Sequence, residues 1–145
     1  MFSNEPSLFN WLKNNIQGDW IRIENVAGTG VPDVNYAIRG VEGWTELKVI
    51  RRKTWDPLKP VQVCLRKEQF AWLMRRGRHG IVSVTVGFTT GEILIVPFKR
   101  IPALWAGASI PQELSPFLYR ANKASVGLIT NAYTHKGPFY DGYFS

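Results

Sequence analysis

The sequence predicts an α/β fold in which helices flank a mixed central sheet of about five strands. Segments with a helical repeat of apolar residues alternate with segments rich in β-branched residues, in the order helix, three strands, helix, two strands. A helix that joins two strands of one sheet normally forms a right-handed crossover between parallel strands. The second helix therefore predicts a parallel pair, and the hairpins on either side of it make the sheet mixed.

The composition is that of a folded domain with a polyanionic partner. The chain has 145 residues, of which 45% are hydrophobic, and it contains six Trp and eight Phe. This content supports a buried core and excludes a disordered chain. The formal net charge is +7, and a basic surface of this kind favours nucleic acid or an anionic membrane as the partner.

Cysteine content and hydropathy limit the covalent links, metal sites and cellular locations expected for the protein. Cys64 is the only cysteine, so an intramolecular disulfide and a cysteine-rich zinc site are both excluded. No apolar run reaches the length of a membrane span, and the N-terminus lacks a basic-then-apolar signal pattern. These observations predict a cytoplasmic protein with no membrane partner.

A first helix is predicted over residues 4–16, because apolar side chains recur along one side of that segment. Ser3 or Asn4 can cap its N-terminus, and Pro6 suits its first turn. Glu5 is the only acidic residue of this helix. A carboxylate in the first turn interacts favourably with the helix dipole, so Glu5 either stabilises the helix or belongs to a site.

Three strands are predicted after this helix. Their ranges are 20–27, 31–39 and 44–50. A turn that contains Gly40 and Gly43 joins the second strand to the third. Gly28 and Gly30 precede the second strand, where they allow either a plain turn or the close approach of a phosphate.

A second helix is predicted over residues 66–76, with Gly77 at its C-terminal end. Gln69 lies on the apolar side of this helix, where an amide is unusual unless it has a hydrogen-bonding partner. Two further strands are predicted over residues 80–88 and 92–98, on either side of a turn.

The candidate site lies in the hairpin of the second and third strands. Side chains alternate along a strand, so Glu46 and Lys48 point to one face of the sheet and Leu47 points to the other. Asp33 reaches the same face as Glu46 if the two strands pair. Neighbouring carboxylates repel each other, and a divalent cation such as Mg²⁺ relieves that repulsion. Such an ion can activate water and neutralise a phosphate, while a lysine holds either one. The cluster therefore suits phosphodiester hydrolysis.

The pair Pro32-Asp33, followed by Glu46-Leu47-Lys48, resembles the motif of the PD-(D/E)XK nuclease superfamily. The resemblance covers roughly residues 4–98 and implies a restriction-endonuclease-like core. It also implies that Asp33, Glu46 and the backbone carbonyl of Leu47 bind Mg²⁺, for which Mn²⁺ can substitute. In the same way it implies that Lys48 orients or activates the hydrolytic water.

A second stretch is similar to the VRR-NUC and Holliday-junction-resolvase-like branch of that superfamily. It consists of Glu68-Gln69, an apolar helix, Gly77 and a Val/Ile-rich strand. In that branch the glutamine lies beside the metal site, which implies that Gln69 positions the water or Lys48. Nucleases of this kind often carry a glutamate on the first helix, so the resemblance implies a water-mediated metal contact for Glu5.

Basic residues near the predicted site are candidates for phosphate contacts, which supply affinity without sequence information. They are Arg51, Arg52, Lys53, Arg66, Arg75 and Arg76. The first three directly follow the predicted metal-binding strand, where a solvated basic turn is the alternative interpretation.

Residues 1–98 are predicted to form the nuclease core, and residues 99–145 a C-terminal extension packed on the same domain. Short helices are expected over residues 100–106 and 112–123. The aromatic-rich tail over residues 125–145 either docks onto the core or a partner subunit, or stacks on exposed bases.

These observations predict a Mg²⁺-dependent DNA endonuclease that acts on duplex or branched DNA. A homodimer or higher oligomer is expected, because cutting both strands with one site per chain is easiest in a symmetric assembly. The small size resembles phage-encoded nucleases, which would act in the host cytoplasm. A homing-type or other sequence-specific endonuclease and a Holliday junction resolvase are both left open. The competing class is a non-catalytic nucleic-acid-binding domain, which predicts a missing motif residue, and none is missing.

Overall fold

A six-stranded sheet lies between two layers of helices in the computed structural model, which describes residues 1–23 and 30–135. The strands follow one another across the sheet in chain order, as β1 (Asp19–Arg22), β2 (Val34–Ile38), β3 (Val41–Ile50), β4 (Ile81–Phe88), β5 (Glu92–Pro97) and β6 (Leu118–Arg120). β3 and β4 are parallel, and the other neighbouring pairs are antiparallel. The predicted α/β class with a mixed, helix-flanked sheet is confirmed, with a sixth strand added at one edge.

Four α-helices accompany the sheet in the described part of the chain. They are α1 (Glu5–Asn15), α2 (Lys67–Arg76), α3 (Ile101–Ala106) and α4 (Val126–Thr134). The Oδ1 atom of Asn4 accepts the Ser7 N–H at 2.9 Å and so caps α1. α2 connects the parallel strands β3 and β4, as the sequence predicts. Within the described ranges, none of the helices has the length and apolar content needed to span a membrane.

The two faces of the sheet bury separate apolar clusters. α2 and α3 pack on one face, where Leu73 and Leu104 meet Val84 of β4. α1 and α4 cover the other face, whose cluster includes Leu47 and Ile129. We call these the α2 face and the α1 face. Because side chains alternate along β3, the burial of Leu47 on the α1 face directs its two neighbours to the α2 face.

The hairpin between β2 and β3 turns at Arg39 and Gly40, whose φ angles are 51° and 78°. Positive φ at both positions is typical of a two-residue turn that matches the twist of the strands. Gly43, predicted in the turn, lies instead within β3 opposite Tyr36. A Cβ on Gly43 would lie 2.2 Å from the Tyr36 hydroxyl oxygen, so this glycine is required for the tyrosine ring to cross the strand.

The C-terminal third adds one strand and two helices. Its first helix, α3, matches the short helix expected over residues 100–106. The helix expected over residues 112–123 is wrong, because single π and 3₁₀ turns there lead into β6, which pairs with β5. The NH1 atom of Arg120 lies 3.3 Å from the buried Glu92 carboxylate and joins these two strands.

α4 occupies part of the segment interpreted as an aromatic tail. Ile129 and Tyr133 of this helix are fully buried against the α1 face. Residues 136–145, which carry four of the tail aromatics, lie outside the described residues. Residues 24–29 do so as well, and they include the end of the predicted first strand and Gly28.

Candidate active site

Asp33 and Glu46 meet where the pairing of β2 with β3 ends. The last pair in that register is Val34 with Thr45. Beyond this pair, side-chain carboxylates instead of main-chain carbonyls accept the main-chain N–H groups. Glu46 Oε1 accepts the Asp33 N–H at 3.0 Å, and Asp33 Oδ2 accepts the Leu47 N–H at 3.2 Å. Main-chain donors thus fix two carboxylates side by side on the α2 face.

Pro32 affects what the Leu47 carbonyl can bind. Two further residues of the same register would set Pro32 opposite Leu47. In a continued antiparallel ladder these two residues would exchange hydrogen bonds. Proline has no N–H, so the ladder bond to the Leu47 carbonyl cannot form there. The Pro-Asp pair therefore ends the ladder beside the two carboxylates.

Glu46 is a carboxylate in an apolar sheet, and only 1% of its surface is exposed. Burial and the charge of Asp33 together raise the pKa of Glu46 to about 8, although Lys48 and the Asp33 N–H act to lower it. The Nζ atom of Lys48 lies 3.7 Å from Glu46 Oε2. Lys48 does not offset the burial of Glu46 and the nearby charge of Asp33, so the cluster favours additional positive charge at neutral pH.

Gln69 brings α2 into the site. Its Nε2 atom donates to Glu46 Oε2 at 2.6 Å, while its Oε1 atom accepts the Arg66 N–H at 2.9 Å. Because the Arg66 N–H occupies the carbonyl end of the amide, the NH₂ end must face Glu46. Gln69 is 5% exposed, and its amide has the partner that a buried polar group requires.

Gly30 packs directly against the start of α2. Its φ angle is 72°, and a Cβ on this residue would lie 2.3 Å from the Glu68 carbonyl oxygen. The close approach that this glycine allows is therefore to protein backbone, and the phosphate interpretation is wrong for Gly30. This contact places the segment that leads to Asp33 beside Gln69.

Glu5 lies at the margin of the cluster, as the first residue of α1. Burial and the charge of Asp33 raise the pKa of Glu5, whereas Lys48 and Arg22 act to lower it. Across residues 1–23 and 30–135, no three His, Cys, Asp or Glu side chains gather into a group that could hold a metal ion. A contact of Glu5 with the metal through water stays a prediction. Arg22 could not be predicted as part of the site, because its only signal in the sequence is its place at the end of a short strand.

The oxygen atoms at the centre of the site have the chemistry of a hard-cation site. Carboxylates of Asp33 and Glu46 and the carbonyl of Leu47 are the oxygen ligands that Mg²⁺ or Mn²⁺ accepts. A cation here would also offset the repulsion that raises the pKa of Glu46. The donor set therefore fits the predicted metal.

Five of the six predicted phosphate-binding residues are exposed. These are Arg51, Lys53, Arg66, Arg75 and Arg76. Arg52 is half-buried, with its guanidinium 5.8 Å from the centre of the Phe88 ring and NH2 donating to the Pro60 carbonyl at 3.2 Å. Arg52 therefore anchors the segment after β3. Phosphate binding by all six residues stays a prediction.

A chain of buried hydroxyl groups lies behind the site on the α1 face. Ser83 donates to Thr45 Oγ1 at 2.8 Å, Thr45 and Thr85 share a bond of 2.8 Å, and Thr85 and the Tyr133 hydroxyl share one of 2.6 Å. The chain links α4 to the residue before Glu46. These residues could not be predicted from the sequence, because single hydroxyls within apolar strands give no distinctive pattern.

The solved structures that match this chain include that of Hjc from Archaeoglobus fulgidus, a Holliday junction resolvase from an archaeal hyperthermophile, with 16% sequence identity and a TM-score of 0.45. The similarity covers 66% of this chain and 77% of that one. A comparison with protein-family models gives no match, and a comparison with curated proteins gives none either.

Proposed function

We propose that the protein is a metal-dependent DNA endonuclease that hydrolyses phosphodiester bonds. One observation carries the proposal. The buried carboxylate of Glu46 lies against the half-buried Asp33 with Lys48 3.7 Å away, and burial together with the charge of Asp33 raises the pKa of Glu46 to about 8. A fold gains no stability from a buried carboxylate placed beside a second one, so the arrangement points to a cation-dependent reaction.

Asp33, Glu46 and the Leu47 carbonyl would hold the cation, Mg²⁺ or Mn²⁺. When bound, such an ion lowers the pKa of a water molecule and neutralises charge on the scissile phosphate. The protein contributes a rigid set of ligands, because the N–H groups of Asp33 and Leu47 already fix both carboxylates.

Lys48 and Gln69 complete the site in different ways. The Lys48 ammonium is near enough to Glu46 to hold the attacking water or a phosphate oxygen at the same place. Gln69 binds Glu46 Oε2 and so fixes the orientation of that carboxylate. Glu5 would hold a water molecule at the edge of the site. The basic residues after β3 and along α2 would bind the DNA backbone.

The proposal extends to the substrate and the assembly. DNA, either duplex or branched, is the polyanion that a net charge of +7 favours. A homodimer would supply one active site for each strand. A sequence-specific enzyme of the phage homing type and a Holliday junction resolvase make different predictions for substrate choice, and the same assay separates them. A cytoplasmic location is also part of the proposal.

The test is cleavage of supercoiled plasmid, linear duplex and a synthetic four-way junction, each with Mg²⁺ or with EDTA. We expect Mg²⁺-dependent cutting by the wild type and a loss on the order of 100-fold or more in Glu46→Gln. Glu113→Gln is the matched control, because Glu113 is exposed and distant in sequence. Cutting that persists in EDTA or in Glu46→Gln overturns the proposal. Binding of all three substrates without cutting supports the non-catalytic alternative.

A further inference from the structure

Leu58 is the most exposed large apolar side chain in the described part of the chain, with 75% of its surface accessible. A single exposed leucine is common in proteins and needs no special explanation. Leu58 differs because hydrogen bonds define the backbone of the turn that carries it and because its neighbours are basic.

The turn that carries Leu58 is fixed by its own hydrogen bonds. Asp56 Oδ1 accepts the Leu58 N–H at 3.0 Å, and the Asp56 carbonyl accepts the Lys59 N–H at 3.3 Å. Pro57 lies between Asp56 and Leu58, and its ring fixes the φ angle of residue 57. The leucine is therefore presented from a defined turn.

The base of the same loop is tied to the sheet. The Arg52 N–H donates to Thr89 Oγ1 at 2.9 Å, and the Thr89 hydroxyl donates back to the Arg52 carbonyl at 2.9 Å. Trp55 packs edge-on against Phe88 with ring centres 5.0 Å apart. The guanidinium of Arg52 also binds the carbonyl of Pro60. Both sides of the turn are thus anchored while its tip projects into solvent.

The charge around the tip is strongly positive. Residues 51–60 contain four Lys or Arg side chains and one carboxylate. Arg51, Lys53 and Lys59 are all exposed. Such a surface attracts a polyanion and repels basic partners. An apolar tip surrounded by cations fits a ligand with an anionic backbone and apolar faces, which describes nucleic acid.

Active-site residues lie at both ends of this loop. Lys48 is two residues before the end of β3, from which the loop leaves. The loop returns at Arg66, whose N–H binds Gln69. DNA held at the catalytic residues would therefore lie beside the segment that carries Leu58.

We propose that Leu58 is a wedge that inserts between neighbouring bases of DNA bound at the active site, an inference that rests on the proposed nuclease function. Apolar side chains inserted into a base step unstack it and kink the duplex. The leucine leaves water and gains contact with the base faces. The wedge favours base steps that open easily, such as pyrimidine–purine steps and branch points.

The test measures base unstacking without cleavage. Duplexes with 2-aminopurine placed at successive positions are mixed with the protein in EDTA, and binding is followed by fluorescence anisotropy in the same samples. We expect the wild type to raise 2-aminopurine fluorescence at one or two adjacent positions. Leu58→Ala should abolish that increase and weaken duplex binding by about tenfold. Leu58→Ala should retain the wild-type melting temperature, because residue 58 is exposed.

Leu58→Lys separates an apolar wedge from a merely basic loop. It adds a cation but removes the apolar tip, so we expect binding to persist and the fluorescence increase to disappear. Leu128→Ala, at a 60% exposed leucine of α4, is the matched control and should behave as the wild type. An increase that survives in Leu58→Ala or Leu58→Lys overturns the wedge.

Failure of the wedge and failure of the nuclease proposal give different results. Bound DNA without any fluorescence increase, together with Mg²⁺-dependent cutting, overturns the wedge alone. Absence of DNA binding both in EDTA and in Mg²⁺ overturns both proposals. If Leu58→Ala converts an oligomer to a monomer in sedimentation while DNA binding stays unchanged, the tip contacts a second copy of the chain, and the wedge is wrong.

Discussion

The Nε2 atom of Gln69 donates a hydrogen bond to Glu46 Oε2 at 2.6 Å, and this bond joins α2 to β3 on the α2 face of the sheet. The amide cannot rotate freely, because its other end accepts the Arg66 N–H at the start of α2. The position of the helix therefore fixes the orientation of a carboxylate at the centre of the site. This relationship makes Gln69 a positioning residue whose replacement has a specific outcome.

Gln69→Glu places a third carboxylate against Asp33 and Glu46. We expect DNA cleavage to fall by about 100-fold, because an amide donor to Glu46 becomes a repelling acceptor. We also expect the metal-free melting temperature to fall more at pH 8 than at pH 6, where protonation relieves the repulsion. Gln112→Glu adds the same charge at an exposed position and is the control. Equal effects of the two substitutions would contradict the positioning role.

Lys48→Met removes the ammonium at the site. We expect a cleavage rate lower by roughly 100- to 1000-fold, in the range found when a charge-stabilising donor is removed from an active site. The fold should be retained, because methionine keeps most of the length and apolar volume of the Lys48 side chain. The measurement is single-turnover cleavage together with circular dichroism, and Lys123→Met serves as an exposed control. Cleavage at the wild-type rate by Lys48→Met would exclude the proposed role.

Stability of the metal-free protein should depend on pH through Glu46. The pKa of Glu46 is raised from 4.5 to about 8 in the folded state, so the folded chain binds more protons than the unfolded chain between these values. The free energy of unfolding should therefore fall as pH rises from about 4.5 to about 8, by a few kcal/mol. Urea denaturation at several pH values measures this fall.

Glu46→Gln should flatten that pH dependence. In the wild type, Mg²⁺ should restore at pH 8 the stability that is lost as Glu46 deprotonates, because the ion binds the deprotonated carboxylate. A wild-type stability that rises over this pH interval would contradict the assigned environment of Glu46.

Tyr133→Phe removes the hydroxyl that ends the buried chain behind the site. The Tyr133 hydroxyl bonds to Thr85 at 2.6 Å, and burial raises its pKa, so it stays protonated. We expect a loss of about 1–3 kcal/mol in the free energy of unfolding, because Thr85 loses a buried partner. Chemical denaturation measures the loss. A stability unchanged from the wild type would show that the chain does not support β3.

The arrangement of the central elements could be predicted from the sequence, because its signals are local and repeated. Alternation along β3 separates Leu47 from Glu46 and Lys48, and the structure buries Leu47 on the α1 face. The crossover helix predicts the parallel pair of β3 and β4. Gln69 stands out because an amide on an apolar helix side requires a partner, and Glu46 is that partner.

Other features depend on contacts between distant residues and leave no local pattern. β6 has three residues, too few to show alternation, and it forms because β5 offers an edge to pair with. Gly43 resembles a turn residue in the sequence, whereas in the structure it makes room for the ring of Tyr36 on the neighbouring strand. Gly30 is required because any side chain there would clash with the backbone of α2 at Glu68, which is distant in sequence. Residue types alone do not reveal these approaches.

The rate of plasmid nicking as a function of Mg²⁺ concentration, compared between the wild type and Asp33→Asn, tests the central claim most directly. Asparagine keeps the size of the side chain and an oxygen that can accept the Leu47 N–H, but it removes the charge that would help to hold the ion. We expect saturable Mg²⁺-dependent nicking by the wild type and almost none by Asp33→Asn, whose melting temperature in EDTA should be no lower than that of the wild type. Equal nicking by both proteins, or none by the wild type at any Mg²⁺ concentration on DNA that it binds, would contradict the account.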